Sequence, residues 1–226
     1  MTQTNIKLKA NIFGNKGEYI KGVLSLAIKY ADNKTIKELL SEVDYCPDIC
    51  YETLLNTIQS NNLDIINTIL EKKVLSNQAK INLFVKAARY SSKEIIEILI
   101  KQDGVSINLQ NEYGETALHN AIFNTEEIFH YLLNLDGANV NTKDNDGDTV
   151  LHFAMKDISS SHDNLAVLLR DRTLNINPKN DNGHTPVSLA IGDLHNYPAI
   201  LNALIDRGAD LNTPESSCIA NWTLLM

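Results

Sequence analysis

The 226-residue sequence has little cysteine and tryptophan, with three cysteines and one tryptophan. Disulfide scaffolds of secreted proteins are dense in cysteine, usually in even number, so an odd and small number favours a reducing compartment. We therefore expect a cytoplasmic protein. Cys46 and Cys50 stand four residues apart, but no second Cys/His pair lies nearby to complete a tetrahedral site. We expect two ordinary thiols there and no metal.

Long apolar runs and an excess of positive charge are also missing. No apolar run is long enough to span a bilayer, and the first twenty residues lack the apolar core of a signal peptide. The 28 acidic residues outnumber the 20 basic ones, which gives a formal charge of -8. A general binder of nucleic acid or anionic membranes would need a basic face. We expect no nucleic-acid partner and no membrane insertion.

Motifs of catalysis are absent from the sequence as well. Residues 1–226 contain no glycine-rich phosphate loop, no nucleophile paired with a base and no zinc-ligand set. The string Ser161-His162-Asp163 is not a catalytic triad, because consecutive residues cannot converge on one nucleophile. We expect a non-enzymatic protein without a cofactor or a small-molecule substrate. The 43% of hydrophobic residues are enough for a folded core.

The stretch DNDGDTVLHFA, residues 144–154, has two competing interpretations. Placing Gly147 sixth in a calcium-binding EF-hand loop puts Thr142 first and Phe153 twelfth, so the two most important oxygen ligands are lost. The other interpretation is a glycine turn that leads into a helix. It is favoured because the pattern recurs at 111–121 and 180–190, with glycines at 114, 147 and 183 that are 33 and 36 residues apart.

These three stretches resemble the ankyrin-repeat unit, which reads approximately D-x-x-G-x-T-P-L-H-x-A and continues into a second helix ending in L-L-x-x-G-A-D-x-N. The second half of the unit is present at Leu132–Asn141, with one inserted residue, and at Leu204–Asn212. The resemblance implies an all-α solenoid of stacked helix-turn-helix units. It also implies that the repeated residues form a scaffold, and that the concave face binds other proteins.

Each repeated residue has a structural role in this interpretation. The glycine fits a turn position that needs a positive φ, the threonine caps the first helix, and the alanine is small where two helices approach closely. The resemblance implies that His119 and His152 tie the helix start to neighbouring turns by hydrogen bonds. The remaining scaffold residues are Gly114, Gly147 and Gly183, Thr116, Thr149 and Thr185, Pro186, and Ala121, Ala154 and Ala190.

Helical periodicity continues upstream, where the glycine turn disappears. Ala27, Ile58 and Ala88 precede Ala121 at steps close to the repeat length, and each is followed by an apolar second helix. Connections through Cys46-Pro47 and Ser76-Asn77 look shorter than turns of the glycine type. The sequence thus predicts six units, the first three degenerate. Their expected bounds are 23–50, 51–78, 79–110, 111–143, 144–179 and 180–213, with a cap at 1–22 and a truncated repeat or cap at 214–226.

Carried over position by position, the resemblance places the partner-binding residues at the turn tips and at the ends of the first helices. The expected tip residues are Glu112, Tyr113 and Glu115, then Asn145, Asp146 and Asp148, then Asp181, Asn182 and His184. The expected first-helix residues are Phe123 and Asn124, Lys156 and Asp157, and Gly192 and Asp193.

The tips contain acidic residues and no lysine or arginine, which predicts a partner with a basic patch. Tyr113 and Phe123 are the expected anchors, because aromatic residues near the centre of an interface tend to contribute most of the affinity. The alternatives are that the acidic tips are ordinary solvated surface and that Phe123 packs between repeats. Residues 159–163 and 193–197 lengthen the link between the two helices of their units, and could form a second contact site or be neutral loops.

Two further hypotheses concern the setting of the protein. The chain stops within a repeat motif after Trp222, so the alternative function is the recognition arm of a longer enzyme or effector whose catalytic domain lies beyond residue 226. Asparagine is about one residue in eight, a bias of AT-rich genomes. Ankyrin arrays on such backgrounds resemble secreted effectors of intracellular bacteria or host-range proteins of large DNA viruses, which act on a host protein in the host cytosol. Asn212 resembles the asparagine that is hydroxylated in some ankyrin repeats.

Overall fold

The computed structural model describes residues 22–24, 26–28, 33–41, 47–190 and 196–211. The expected cap at 1–22 lies outside these residues apart from Gly22. The described residues also do not include Gly192, Asp193, Asn212 or the expected final segment 214–226. The described residues contain helices and no strand, as the all-α prediction requires. The helices are α1 Asn33–Ser41, α2 Pro47–Gln59, α3 Leu63–Leu70, α4 Asn77–Tyr90, α5 Lys93–Ile100, α6 Ala117–Ala121, α7 Glu126–Leu133, α8 Val150–Lys156, α9 Ile158–Leu168, α10 Pro186–Leu189 and α11 Pro198–Asp206.

The helices form stacked pairs. Residues 22–24 and 26–28 are helical and precede α1, and each later first helix is followed directly by its second helix. The first helices α2, α4, α6, α8 and α10 pack side by side in one row, while α7, α9 and α11 pack in a second row. Each unit contacts its neighbours, which is the arrangement of a solenoid.

The N-terminal units differ from the others in the length of the first helix. Helices α2 and α4 have 13 and 14 residues, whereas α6, α8 and α10 have 5, 7 and 4. The connection that precedes α4 is residues 71–76, and the one that precedes α6 is residues 101–116. The predicted shorter connection is therefore confirmed at Ser76-Asn77, whereas the one through Cys46 lies outside the described residues. Helices α2 and α4 extend across the expected unit boundaries after residues 50 and 78, so these units begin near Pro47 and Asn77.

One continuous hydrophobic core runs through all the units. The residues aligned at the small position, Ala27, Ile58, Ala88 and Ala121, are all buried. In the second helices the apolar residues spaced three and four apart are buried too, as the periodicity predicted. They include Ile36, Leu39 and Leu40 in α1, Ile65, Ile66, Ile69 and Leu70 in α3, and Ile95, Ile96 and Leu99 in α5.

The expected loop at residues 159–163 is a helix, so that part of the prediction is wrong. Residues 159–163 form the first turns of α9, because the carboxylate of Asp157 accepts the N–H of Ser160 at 3.2 Å and caps the helix. Ser161 is buried, and its hydroxyl donates to the carbonyls of Ala154 and Asp157 at 2.8 Å. The added residues lengthen α9 instead of forming a flexible contact loop.

Candidate functional site

Each glycine turn is built around one asparagine or aspartate side chain. In the fourth unit Oδ1 of Asn111 accepts the N–H groups of Tyr113 and Glu115, both at 2.9 Å. The N–H of Gly114 donates to the carbonyl of Asn111 at 3.0 Å and closes the turn. Asp144 and Asn180 accept the equivalent N–H groups in the next two turns. We call these three turns, residues 111–115, 144–148 and 180–184, the fingers.

Neighbouring fingers are joined through their backbones. The N–H of Asn145 donates to the carbonyl of Tyr113, and the N–H of Asp181 donates to the carbonyl of Asp146, both at 3.0 Å. This close approach explains the glycine at position 147, which has φ +76°. A Cβ atom there would lie 2.8 Å from the backbone nitrogen of Asp181. The predicted requirement for glycine is confirmed, and it comes from the next finger as well as from φ.

The two repeated histidines join each first helix to the next finger, as predicted. Nδ1 of His119 accepts the N–H of Thr116 at 3.0 Å, so the proton resides on Nε2, which donates to the carbonyl of Asp148 at 3.2 Å. His152 makes the same pair of bonds with Thr149 and with the carbonyl of His184. Both rings are completely buried, and burial lowers the pKa of each histidine below its ordinary value.

The finger tips are exposed along the whole row. The side chain of Tyr113 is the most exposed large apolar group that the structure describes, at 63%. Asn145 is exposed, although its amide also donates to the carbonyl of Glu112 at 2.9 Å. The other fully exposed tip residues are Glu112, Asp146, Asp181 and Asn182.

Asp148 does not belong to this surface, and the expectation that it lies at a tip is corrected. Its side chain is only 1% exposed. One carboxylate oxygen accepts the amide of Asn180 at 2.8 Å, and the other accepts the ammonium of Lys156. Burial raises the pKa of the Asp148 carboxyl, but the bonds from Lys156 and Asn180 outweigh this effect and bring the pKa below its ordinary value. Asp148 therefore binds the next finger to α8.

Glu115 and His184 occupy the same repeat position as Asp148 and are half-buried. The carboxylate of Glu115 accepts the amides of Asn111 and Asn120, each at 2.9 Å. The acidic residues expected at the tips therefore fall into three groups. Glu112, Asp146 and Asp181 are exposed, Glu115 is half-buried with its carboxylate in hydrogen bonds, and Asp148 is buried.

The residues at the ends of the first helices serve two purposes. The amide of Asn124 donates to the carbonyls of Ala88 and Ser91, at 2.9 and 3.3 Å, so this expected binding residue joins its unit to the preceding one. Phe123 is half-buried, and the guanidinium carbon of Arg89 lies 4.3 Å from the centre of its ring. Lys156 is exposed along its stem while its ammonium pairs with Asp148.

Sequence reasoning missed a group of asparagines that bridge units. Asn108 donates to the carbonyl of Gly137 at 2.6 Å and accepts the N–H of Asn139 at 3.0 Å. Asn141 and Asn177 repeat this double bridge one and two units later. The signal was present in the sequence, because these asparagines occupy the final position of the unit. Their amides satisfy backbone groups of the next unit, which an apolar residue could not do.

Tyr51 was also missed, and it extends the exposed surface towards the N-terminus. Its phenol is half-buried on α2 and lies near Asn82 of α4. Burial raises the pKa of this phenol, and the charge of Glu112 adds to the effect. The charge of this finger tip therefore affects the pKa of a residue on α2.

We call the surface formed by the finger tips and the exposed residues of the first helices the first-helix face.

Within the described residues no group of three or more His, Cys, Asp or Glu side chains is placed to hold a metal ion. None of the described helices combines the length and the hydropathy that a bilayer crossing needs.

The family profile of ankyrin repeats matches residues 54–144 and 135–215, in three copies. These residues are more than half of the chain, and the fold described above agrees with them. The chain belongs to the ankyrin-repeat family. No curated protein matches the sequence. Repeats of this family are generally protein-protein interaction modules.

Proposed function

We propose that this chain is a non-enzymatic module that binds a protein partner with its first-helix face. The observation that supports this proposal is the division between buried and exposed residues in the fingers. In and after the fingers, Thr116, His119 and Asp148 are buried and bonded within the scaffold, whereas the tip residues Glu112 and Tyr113 face solvent. The scaffold thus holds a row of variable side chains in fixed positions, which lowers the entropy cost of binding.

The proposed partner has a basic patch opposite the finger tips. Glu112, Asp146 and Asp181 are exposed on three successive fingers that are joined by backbone hydrogen bonds. Like charges on a rigid row attract an oppositely charged surface and accelerate its encounter. Tyr113 supplies the apolar contact that such a charged rim needs at its centre.

The test is an affinity pull-down from cell extract with wild type, with Tyr113→Ala and with the triple variant Glu112→Lys, Asp146→Lys, Asp181→Lys. The matched control is a triple reversal of exposed acidic residues in and after the second helices, Glu71→Lys, Glu126→Lys and Asp136→Lys. Bound proteins are identified by mass spectrometry after circular dichroism has shown that all variants are equally helical.

We expect a partner that wild type and the control retain and that both finger variants lose. The affinity for this partner should also fall as salt is raised, because exposed charges are screened. A partner that all four proteins retain equally would locate binding elsewhere on the chain. Loss in the control but not in the finger variants would move the site to the second helices.

The setting of the module is a separate part of the proposal. We place it in the cytosol because of the cysteine content of the sequence, and the asparagine bias favours the cytosol of a host cell, where a pathogen effector would act. Modification of Asn212 also stays a prediction, motivated by the sequence motif alone. Intact-mass analysis and peptide mapping after expression in host cells would detect an added oxygen on this residue, and an unmodified peptide would exclude it.

A further inference from the structure

Arg89 is a cation of the first-helix face that contacts aromatic rings and has no ion-pair partner among the described residues. It lies in the last turn of α4 and is half-buried. Its guanidinium carbon is 4.3 Å from the ring centre of Phe123 and 5.6 Å from that of Tyr90. Stacking of a guanidinium on aromatic rings fixes its plane and leaves the N–H groups at its edge available to acceptors.

No acceptor takes up these N–H groups within the part of the chain that the structure describes. The nearby acidic residue is Asp157, whose carboxylate is already used by the hydroxyl of Ser159 at 2.8 Å and by the N–H of Ser160 at 3.2 Å. Arg89 contributes only a minor electrostatic effect to Asp157. The other cation nearby on α4, Lys86, is exposed and lies one turn before Arg89. This part of the first-helix face is basic and aromatic, in contrast to the acidic finger tips.

The surroundings favour a carboxylate over a phosphate as the ligand of Arg89. Phosphate sites usually collect several cations or backbone N–H groups at a helix N-terminus. Arg89, Phe123 and Lys156 instead lie at the C-terminal ends of first helices, where the helix dipole is negative and disfavours a dianion. A single guanidinium with a free edge matches the two oxygens of one carboxylate.

We propose that Arg89, held between Tyr90 and Phe123, binds an acidic side chain of the protein partner. Tyr90 is 47% exposed and provides an apolar wall beside the carboxylate. The proposal rests on the proposed function and makes it more specific. The partner segment therefore has an acidic residue that contacts Arg89 and basic residues that contact the finger tips.

The experiment is selection of a random peptide library, displayed on phage, against wild type, Arg89→Gln and Arg89→Lys. Arg172→Gln is the matched control, because Arg172 is exposed on another unit. Thermal unfolding checks that each variant is folded. One selected peptide is then synthesised in three forms that differ only at the shared acidic position. The first keeps the acidic residue, the second has the corresponding amide residue, and the third has phosphoserine. The affinities of these three peptides for wild type and for the three variants are measured by calorimetry.

We expect wild type and Arg172→Gln to select peptides that share one acidic position. Arg89→Gln and the amide peptide should each weaken binding about tenfold or more. Combining the two changes should weaken binding little further, because both remove the same bond. Arg89→Lys should recover only part of the affinity, since it keeps the charge but loses the planar pair of donors.

Four results would overturn the inference, and they differ in what they say about the proposed function. Peptides that bind through Tyr113 without a shared acidic position would leave the proposed function intact and refute the role of Arg89. The same conclusion would follow if the affinity losses from Arg89→Gln and from the amide peptide multiplied when the two changes are combined, because the two groups would then act independently. Tighter binding of the phosphoserine peptide that depends on Arg89 would replace the carboxylate by a phosphate. Failure of wild type to select any peptide would count against both proposals.

Discussion

The units before residue 101 and the units after it stack in different ways. In the N-terminal units the first helices α2 and α4 are about twice as long as α6 or α8, and a short connection precedes α4. In the C-terminal units the fingers take the place of the additional helical turns. Two sequences that align at one small residue can therefore build the same row of helices from an extended helix or from a glycine turn.

The forces between neighbouring units differ accordingly. The N-terminal units contact one another through the apolar core and through a few hydrogen bonds, such as those from the Ser91 hydroxyl to the carbonyl of Ile58 at 3.3 Å and from the Ser92 N–H to Oδ1 of Asn61 at 2.8 Å. In the C-terminal units His119, His152 and Asp148 bond groups in the next finger. Hydrophobic contacts tolerate small shifts, whereas hydrogen bonds require one geometry. The C-terminal fingers should thus be the more precisely fixed part of the protein.

The largest expected effect comes from removing an aromatic side chain from the N-terminal core. Phe84 in α4 is completely buried, so Phe84→Ala should lower the free energy of unfolding by about 3–5 kcal/mol. Because a solenoid is stabilised by contacts between neighbours, the loss should be local. Hydrogen exchange read by mass spectrometry should accelerate in α2 to α5 and change little in α8 and α9.

Phe129 in α7 is equally buried and serves as the matched control. Phe129→Ala should lower stability by a similar amount but accelerate exchange in α6 to α9. If both variants accelerated exchange uniformly along the chain, the two regions would form one cooperative unit and the comparison would be refuted.

The next effect separates the two reasons for glycine in the fingers. Gly147→Ala should destabilise by about 3 kcal/mol, because the new Cβ would be strained at positive φ and would collide with the backbone of Asp181. Gly183 has φ +83°, and a Cβ there meets no described atom within 4 Å. Gly183→Ala should therefore cost only about 1 kcal/mol, from φ alone. Urea unfolding measures both, and equal losses would show that the contact between fingers is unimportant.

The sequence was sufficient for the parts of the fold that depend on a repeated residue and its spacing. The positive φ of Gly114, the buried Ala121 and the bonds of His119 all follow from one motif whose local geometry is the same in each unit. The buried apolar faces of α1, α3 and α5 followed from apolar periodicity even where the motif had been lost. Local rules of this kind are read from a single segment of sequence.

The features that could not be predicted depend on two segments at once. Asp148 resembles a tip residue in its own finger, but it is buried because Asn180 of the next finger and Lys156 of α8 both reach it. The site at Arg89 arises because Phe123 of the following unit covers the guanidinium. In both examples one of the residues involved, Asn180 or Phe123, is about one repeat away in the sequence.

The smallest expected effect is a dependence of stability on pH that originates in the C-terminal units. Burial lowers the pKa values of His119 and His152 in the folded protein. As the pH falls below about 6.5, the unfolded chain takes up protons before the folded chain does, so folding becomes less favourable. We expect the melting temperature to decrease between about pH 7.5 and about pH 5.5, a range in which ordinary carboxylates stay mostly ionised.

The double variant His119→Gln, His152→Gln identifies the source of this dependence. It should be less stable than wild type at every pH, because the bonds to Thr116 and to the carbonyl of Asp148 are changed, but its melting temperature should vary less with pH. Protonation at Nδ1 would replace an acceptor by a donor that faces the N–H of Thr116. An unchanged slope in the double variant would therefore mean that the buried rings already bind protons in the folded state, which contradicts the bonding assigned to them.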